Sequence, residues 1–190
     1  MEKQEKTYEL IFLTELLGTV PKDPKIYKTY IESHKPPENK EEDESENVEK
    51  IEEKGWTGFM KDEQGYFLYE YMIKGFLKHA GTCMKDSIKI KAIRSKIDNF
   101  VFISPRKIYL DRKEVDGFLE RPLRAMTMQG PRVSLARSDY FKPGLTISFT
   151  VTILKNKEIT QILIDQIFEY GEFCGVGQFR NGGYGRFKIS

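Results

Sequence analysis

Apolar and polar positions along the chain fall into two periods. From Leu145 to Ile153, the residues Leu145, Ile147, Phe149, Val151 and Ile153 alternate with Thr146, Ser148, Thr150 and Thr152. That period of two predicts a half-buried strand. Tyr8–Thr14 (YELIFLT) is apolar and β-rich and predicts the first strand. Phe100–Ile103 and Ile108–Leu110 are β-like, with Pro105 marking an edge or bulge. A helical period runs through Phe67, Leu68, Tyr71, Met72, Gly75, Phe76, His79, Ala80 and Cys83, leaving Lys74 and Lys78 on the other face. A second helix is expected over Ile159, Ile162, Leu163, Ile167 and Tyr170, N-capped by Asn156 and ended by Gly171. A last strand is expected at Tyr184–Ile189.

The connections carry their own signals. Gly18 to Pro24 (GTVPKDP) reads as loop, Lys61–Gln64 as a tight turn, and Gly130-Pro131 as a turn between two short extended arms. In sequence the elements run strand, helix, strand, strand, helix, strand. That is the α+β, ferredoxin-like (RRM-like) βαββαβ order, an antiparallel four-stranded sheet with two helices and insertions after the first and second strands. A chain of 190 residues without internal repeat fits one such domain, with a flexible acidic insertion at about 34–54 and an Arg-rich insertion at about 111–142.

Charge sharpens this picture. Glu32 to Lys54 holds ten carboxylates against four lysines, a net of −6, so that a whole-chain net of +2 leaves +8 for the remainder. A basic body suits a polyanionic partner; a solvated charged loop on an ordinary domain gives the same count. Arg121, Arg124, Arg132 and Arg137 follow one another with no acid between them, which suits contacts to a nucleic-acid backbone.

Catalytic chemistry has little to stand on. His34 lies beside the acidic loop and His79 falls on the helix's apolar stripe, where packing explains a histidine better than catalysis. No nucleophile–base set, metal-ligand spacing or phosphate-loop signature is present, so no catalytic residue, metal or cofactor is expected. Cys83 and Cys174 are expected as buried free thiols in a reducing cytoplasm. No apolar run reaches the length of a membrane span.

The richest stretch is Gly175–Phe187, GVGQFRNGGYGRF. Its glycines permit positive φ and close backbone approach, Arg180 and Arg186 offer planar donors, and Phe179, Tyr184 and Phe187 offer stacking faces. The same letters also spell a helix C-cap followed by a turn into a last strand. Gly175-Val176-Gly177, five residues, then Gly183-Tyr184-Gly185 resembles the GhGxxxxxGhG glycine-rich loop of the RAMP superfamily, the RNA-binding proteins of CRISPR–Cas systems.

Two other stretches share the resemblance. Ile73–Lys78 (IKGFLK) is similar to the KGxLR-type helix of the backbone-forming RAMP subunits, with Lys78 where arginine is usual. Pro143-Gly144 before the period-two strand, behind an Arg-rich block, is similar to their entry into the third core strand. The resemblance implies a non-catalytic subunit, or a stand-alone phage relative, that holds single-stranded RNA. Single-stranded DNA binding in phage replication and RAMP-type RNA cleavage, with Asp23 in the loop after the first strand, are the alternatives. The nucleic-acid-binding residues it implies are Lys74, Lys78, Arg121, Arg124, Arg132, Arg137, Gly175, Gly177, Phe179, Arg180, Gly183, Gly185 and Arg186. Other effector subunits or further copies along the nucleic acid are implied partners; no membrane is.

Overall fold

The computed structural model describes residues 2–22, 56–127 and 130–190, with backbone alone over 123–134. The acidic stretch, and with it Asp23 and His34, lies outside the described residues. The chain divides into two compact units. The first comprises Met1–Leu17, Met60–Glu114 and Phe141–Ser190; the second comprises Gly18–Phe59 and Val115–Tyr140.

The first unit is mixed α+β. The strands β1 (Lys3–Phe12), β7 (Val101–Ser104), β11 (Thr146–Leu154) and β12 (Phe187–Ile189) form one antiparallel sheet in the order β12-β1-β11-β7. The period-two strand is therefore central, with β1 on one side (Tyr8 opposite Phe149) and β7 on the other. Its alternation puts Ile147, Phe149, Val151 and Ile153 into the core beside Tyr8, Leu10 and Phe12 of β1. A two-residue strand, β2 (Leu16–Leu17), follows β1 with both side chains buried. The helices α1 (Glu70–Cys83) and α4 (Gln161–Glu169) cover the apolar face of the sheet. Phe168 of α4 lies 4.5 Å from the Tyr8 ring and 5.8 Å from Phe149, and Phe76 of α1 lies 4.9 Å from Phe187.

A second small antiparallel sheet holds β5 (Met60–Asp62), β6 (Gly65–Tyr69) and β8 (Lys107–Tyr109). The expected turn lies at residues 63–64, and Asp62 fixes it by accepting from the Gln64 N–H, Lys107 Nζ and Tyr109 Oη. The helices α2 (Lys85–Ile88) and α3 (Ile93–Phe100) lie between α1 and β7.

Several expectations shift. Phe67 and Leu68 belong to β6 rather than to the helix, because the turn at 63–64 sends the chain back along β5. Phasing the helix from Phe67 therefore misplaces its face. α1 buries Ile73, Phe76, Leu77, Ala80 and Gly81, while Tyr71, His79 and Cys83 are exposed. His79 is thus no core histidine and Cys83 no buried thiol; both cysteines are free. Asn156 accepts from the N–H groups of Glu158 and Ile159 in a turn, and Thr160 is the residue that caps α4, accepting from Leu163 N–H. Ile162 is 71% exposed rather than core. The last strand starts at Phe187, because the turn around Gly183–Gly185 still occupies Tyr184.

In the second unit β9 (Gly117–Thr127) and β10 (Gly130–Phe141) pair as a long antiparallel hairpin, with Gly130 opposite Thr127. The two expected arms are these strands. β4 (Trp56–Gly58) pairs in parallel with β10, Trp56 against Arg137, and antiparallel with β3 (Val20–Pro21), so the expected loop at 18–24 contains a short strand.

The core of the first unit can be tested at two positions. A Cβ on Gly171 would stand 2.3 Å from a ring carbon of Phe187, which is wholly buried. Gly171→Ala should therefore lower stability by about 1–3 kcal/mol through overpacking, read as a lower denaturant midpoint. A midpoint equal to wild type would refute that packing. The second position is Asp165, which accepts from Lys6 Nζ at 2.8 Å, Tyr8 Oη at 2.5 Å and Gln161 Nε2. Burial alone pushes the Asp165 carboxyl up, but these hydrogen bonds and the Lys6 charge hold it below the usual carboxylate range. Its stabilisation is therefore complete above the unfolded-state value of about 4 and is lost as pH falls through the folded-state value. Asp165→Asn should melt lower than wild type at neutral pH, and the gap should close as acid is added. A gap independent of pH would contradict this.

Candidate nucleic-acid interface

The glycine-rich loop joins α4, through a 3₁₀ turn at Tyr170–Glu172, to β12. It is closed on itself and tied to the end of β1. Val176 N–H donates to the Gly185 carbonyl at 2.9 Å, and Gly185 N–H to the Glu15 carbonyl at 2.8 Å. Leu13 N–H donates to the Arg186 carbonyl at 2.7 Å, and Arg186 N–H to Thr14 Oγ1 at 2.9 Å. The tip is a second 3₁₀ turn, Arg180–Gly182, in which Gly182 N–H reaches the Phe179 carbonyl and Gly183 N–H the Arg180 carbonyl.

This closure decides what several glycines do. A Cβ on Gly185 would overlap the Val176 carbonyl oxygen, and one on Gly175 would stand 2.3 Å from the Tyr184 carbonyl oxygen. These residues are glycine because backbone crosses backbone within the loop. The N–H groups of Val176, Gly182, Gly183 and Gly185 are spent on the chain's own carbonyls.

The outward-facing parts of the loop are side chains. Phe179 is 44% exposed and its ring is stacked on Tyr184, with centroids 5.6 Å apart and planes 28° apart. Its backbone is left-handed, φ +54°. That conformation costs a bulky L-residue about 1–2 kcal/mol, in a loop where glycine is abundant. Gly182 lies directly under the ring, a Cβ there falling 2.4 Å from a ring carbon. Arg186 is exposed and lies over Gly183, while the half-buried Arg180 brings its charge to the Cys174 thiol. Burial pushes that thiol up, against the pull of Arg180. Partial burial and then the Arg180 charge hold the His79 imidazole below its usual range. Gly177, at φ +89°, faces Leu16, whose Cδ1 would lie 3.2 Å from a Cβ added there.

Lys74 and Lys78 come together on α1, but toward α3. Both reach Asp98, whose carboxylate accepts from Lys78 at 3.1 Å, while Lys74 donates to the Asp98 carbonyl at 2.8 Å. The Lys78 hydrogen bond and both lysine charges hold the Asp98 carboxyl low. Lys74 also lies 5.0 Å over the Phe102 ring. The two lysines share one carboxylate, helix to helix, rather than standing bare.

In the second unit the four arginines lie along one hairpin but do not form one exposed row. Arg121 is 8% exposed and donates to Ser138 Oγ at 3.2 Å, so it is a buried residue of this ribbon rather than a surface cation. Arg137 lies half-buried between two rings, 3.9 Å from the Trp56 centroid and 3.4 Å from that of Phe118. Its guanidinium meets the Glu120 carboxylate at 3.7 Å. Glu120 lies just outside the acid-free sequence interval, yet the hairpin register places it opposite Arg137. Arg124 opposes Val133, and Arg132 opposes Ala125.

Sequence reasoning does not single out Trp56, Phe118, Lys22 or Asp139. Asp139, 5% exposed, accepts from Trp56 Nε1 at 2.9 Å and pairs with Lys22 at 2.5 Å. The chain's single tryptophan is the available signal, but its Asp139 partner lies 83 residues away. Among the described residues no cluster of histidine, cysteine and carboxylate is arranged to hold a metal, and no helix is long and apolar enough to cross a membrane.

No protein-family model matches the chain, and no curated protein matches its sequence. Its fold is similar to that of a chain in the cryo-EM structure of the type III-B Cmr-β bound to cognate target RNA, at a TM-score of 0.53 and 13% identity. The likeness covers all of this chain, which spans 59% of the length of that one. It is a likeness of fold alone.

Proposed function

We propose that this chain is a RAMP-type RNA-binding protein with a ferredoxin-like core, holding the backbone of a guide or other single-stranded RNA at its glycine-rich loop and arginine-bearing hairpin. The observation that carries the reading is the loop's placement. It connects the last helix to the last strand of a sheet ordered β12-β1-β11-β7, and its one strained non-glycine residue is a half-exposed aromatic. The similar solved chain, from a complex bound to target RNA, and the +8 carried outside the acidic stretch support it. Effector subunits or further copies of the chain are the partners this reading implies, in a cytoplasmic setting.

The loop's contribution to binding lies in side chains more than in amides. Phe179 and Tyr184 offer base-stacking faces, and Arg186 offers phosphate contacts. Of the hairpin arginines, Arg121 serves the ribbon's own packing.

Two expected outcomes test this. For single strands, log affinity falls with log salt at a slope of about −0.7 per phosphate contact. Arg186→Ala should flatten that slope by about 0.7 in fluorescence-anisotropy titrations of a ten-nucleotide RNA and leave melting unchanged. Arg121→Ala should lower melting and leave the slope of the folded protein unchanged. No RNA binding at low salt overturns the reading. The second uses Phe179→Gly, which relieves about 1–2 kcal/mol of backbone strain. It loses a ring contact worth about 0.5–1.5 kcal/mol and adds about 0.4–1 kcal/mol of unfolded-chain entropy. These nearly cancel, so melting should move little while RNA affinity drops several-fold. A large fall in melting with the affinity of the folded fraction intact would make the ring a staple of the loop.

A further inference from the structure

Within the second unit, cations and aromatic rings alternate in series, Lys22, Trp56, Arg137 and Phe118, with the two ring planes 59° apart. Lys22 Nζ lies 4.3 Å from the Trp56 ring centroid, the Arg137 guanidinium lies in the wedge between Trp56 and Phe118, and the two ring centroids are 6.4 Å apart. The lower end of the series is anchored: Asp139 holds both the indole N–H and Lys22. The register fixes the rest, since Arg137 opposes Trp56 on β4 and Glu120 on β9. A Cβ on Gly58 would stand 2.7 Å from Lys22 Cε and 2.9 Å from Asp139 Oδ2, so glycine there is what lets Lys22 cross the sheet.

The upper end is open. Phe118 gives one face to Arg137 and is still 50% exposed, and Leu135 of the adjacent strand is 47% exposed. The series therefore ends on a half-exposed aromatic ring beside a guanidinium. From Gly117 to Arg137 the hairpin carries four arginines and one carboxylate, a net of +3.

We propose that Phe118 is a stacking platform for one unpaired nucleobase, which extends the Trp56–Arg137–Phe118 series by a layer. The inference rests on the RNA-binding reading above and adds a base subsite in the second unit to it. Planarity selects a base, because every base has a face that stacks on an aromatic ring without regard to sequence. The positive hairpin supplies attraction for the adjoining phosphates. Arg137 is held in place by both rings before the ligand arrives, so little ordering is required at the moment of binding.

The chain's single tryptophan makes the test direct, because Trp56 emission reports on its own stack. Full-length protein is titrated with a ten-nucleotide oligouridylate and with an abasic ribose-phosphate oligomer of the same length. Anisotropy of a labelled strand and Trp56 emission are followed together. The uridylate should change Trp56 emission and the abasic strand should not. Phe118→Ala should weaken uridylate binding about tenfold, in keeping with the known worth of one stacked base, leave the abasic affinity unchanged and remove the emission change. Phe118→Tyr, which keeps the ring, should restore all three, and it guards against a folding defect in the alanine variant. Uridylate bound by wild type and Phe118→Ala with equal affinity, without a change in emission, overturns the subsite while leaving RNA binding in place; the ring would then belong to a protein surface. Absence of binding by any strand overturns the RNA reading and the subsite with it.

Discussion

Phe187 is the contact on which the first unit closes. β12 contributes only three residues to the sheet, so its backbone pairing with β1 supplies few hydrogen bonds, each worth about 0.5–1.5 kcal/mol net. The ring supplies the rest. It is wholly buried, touching Phe12 from β1, Phe76 from α1 and Phe168 from α4. Burying such a side chain is worth about 1.5–3 kcal/mol. Gly171 makes room for it at the end of α4. One residue thus ties the chain's last strand to both helices and to its first strand. Everything between Gly171 and Phe187 is a loop whose two ends are fixed by that contact.

Fixed ends explain the conformation of the loop. Fifteen residues span from the foot of α4 to the edge of the sheet, and they do so by folding back on themselves, Val176 against Gly185. Backbone contact at that closeness excludes side chains at Gly175 and Gly185, so the glycine pattern has a structural cause independent of any ligand. Phe179 is held differently, by ring contacts rather than by backbone crossing. Glycine at that position would be less strained, and the ring sits at the surface rather than in the core. What offsets the strain within the loop is the stacking of the ring on Tyr184 and its seat over Gly182.

The legible part of the fold is the part governed by local periodicity. Leu145–Leu154 reads as a strand because alternate residues face one hydrophobic side, while its central place rests on pairing with both β1 and β7. The phase of α1 is not legible, because the turn at 63–64 converts Phe67 and Leu68 into strand, and an apolar pair carries no mark of which period it belongs to. The exposure of Ile162 and the capping by Thr160 share one cause: α4 starts at Gln161, well beyond Asn156, which spends its side chain on a preceding turn. In the candidate site, the loop's position is legible, whereas the employment of its amides is not. The Trp56 stack is invisible because its members come from residues near 56, 118 and 137, which only strand register brings together.

Charge counting along a sequence fails for the same reason. Arg121 to Arg137 is free of acids as a string, yet Glu120 lies opposite Arg137 in the hairpin, and Lys74 and Lys78 share a carboxylate from another helix. A cation already held by a carboxylate must give up that partner to take a phosphate, and it releases less free energy in doing so. Arg186 is different: it is exposed, it stands where the loop meets the sheet, and no ion pair engages it among the described residues. Arg137 differs in another way: its guanidinium lies between two rings, 3.9 Å and 3.4 Å from their centroids, with the Glu120 carboxylate at 3.7 Å. What separates a cation suited to a nucleic-acid backbone from one that serves the fold is therefore the kind of partner it has. That property is set by register and packing, and the count of basic residues does not contain it.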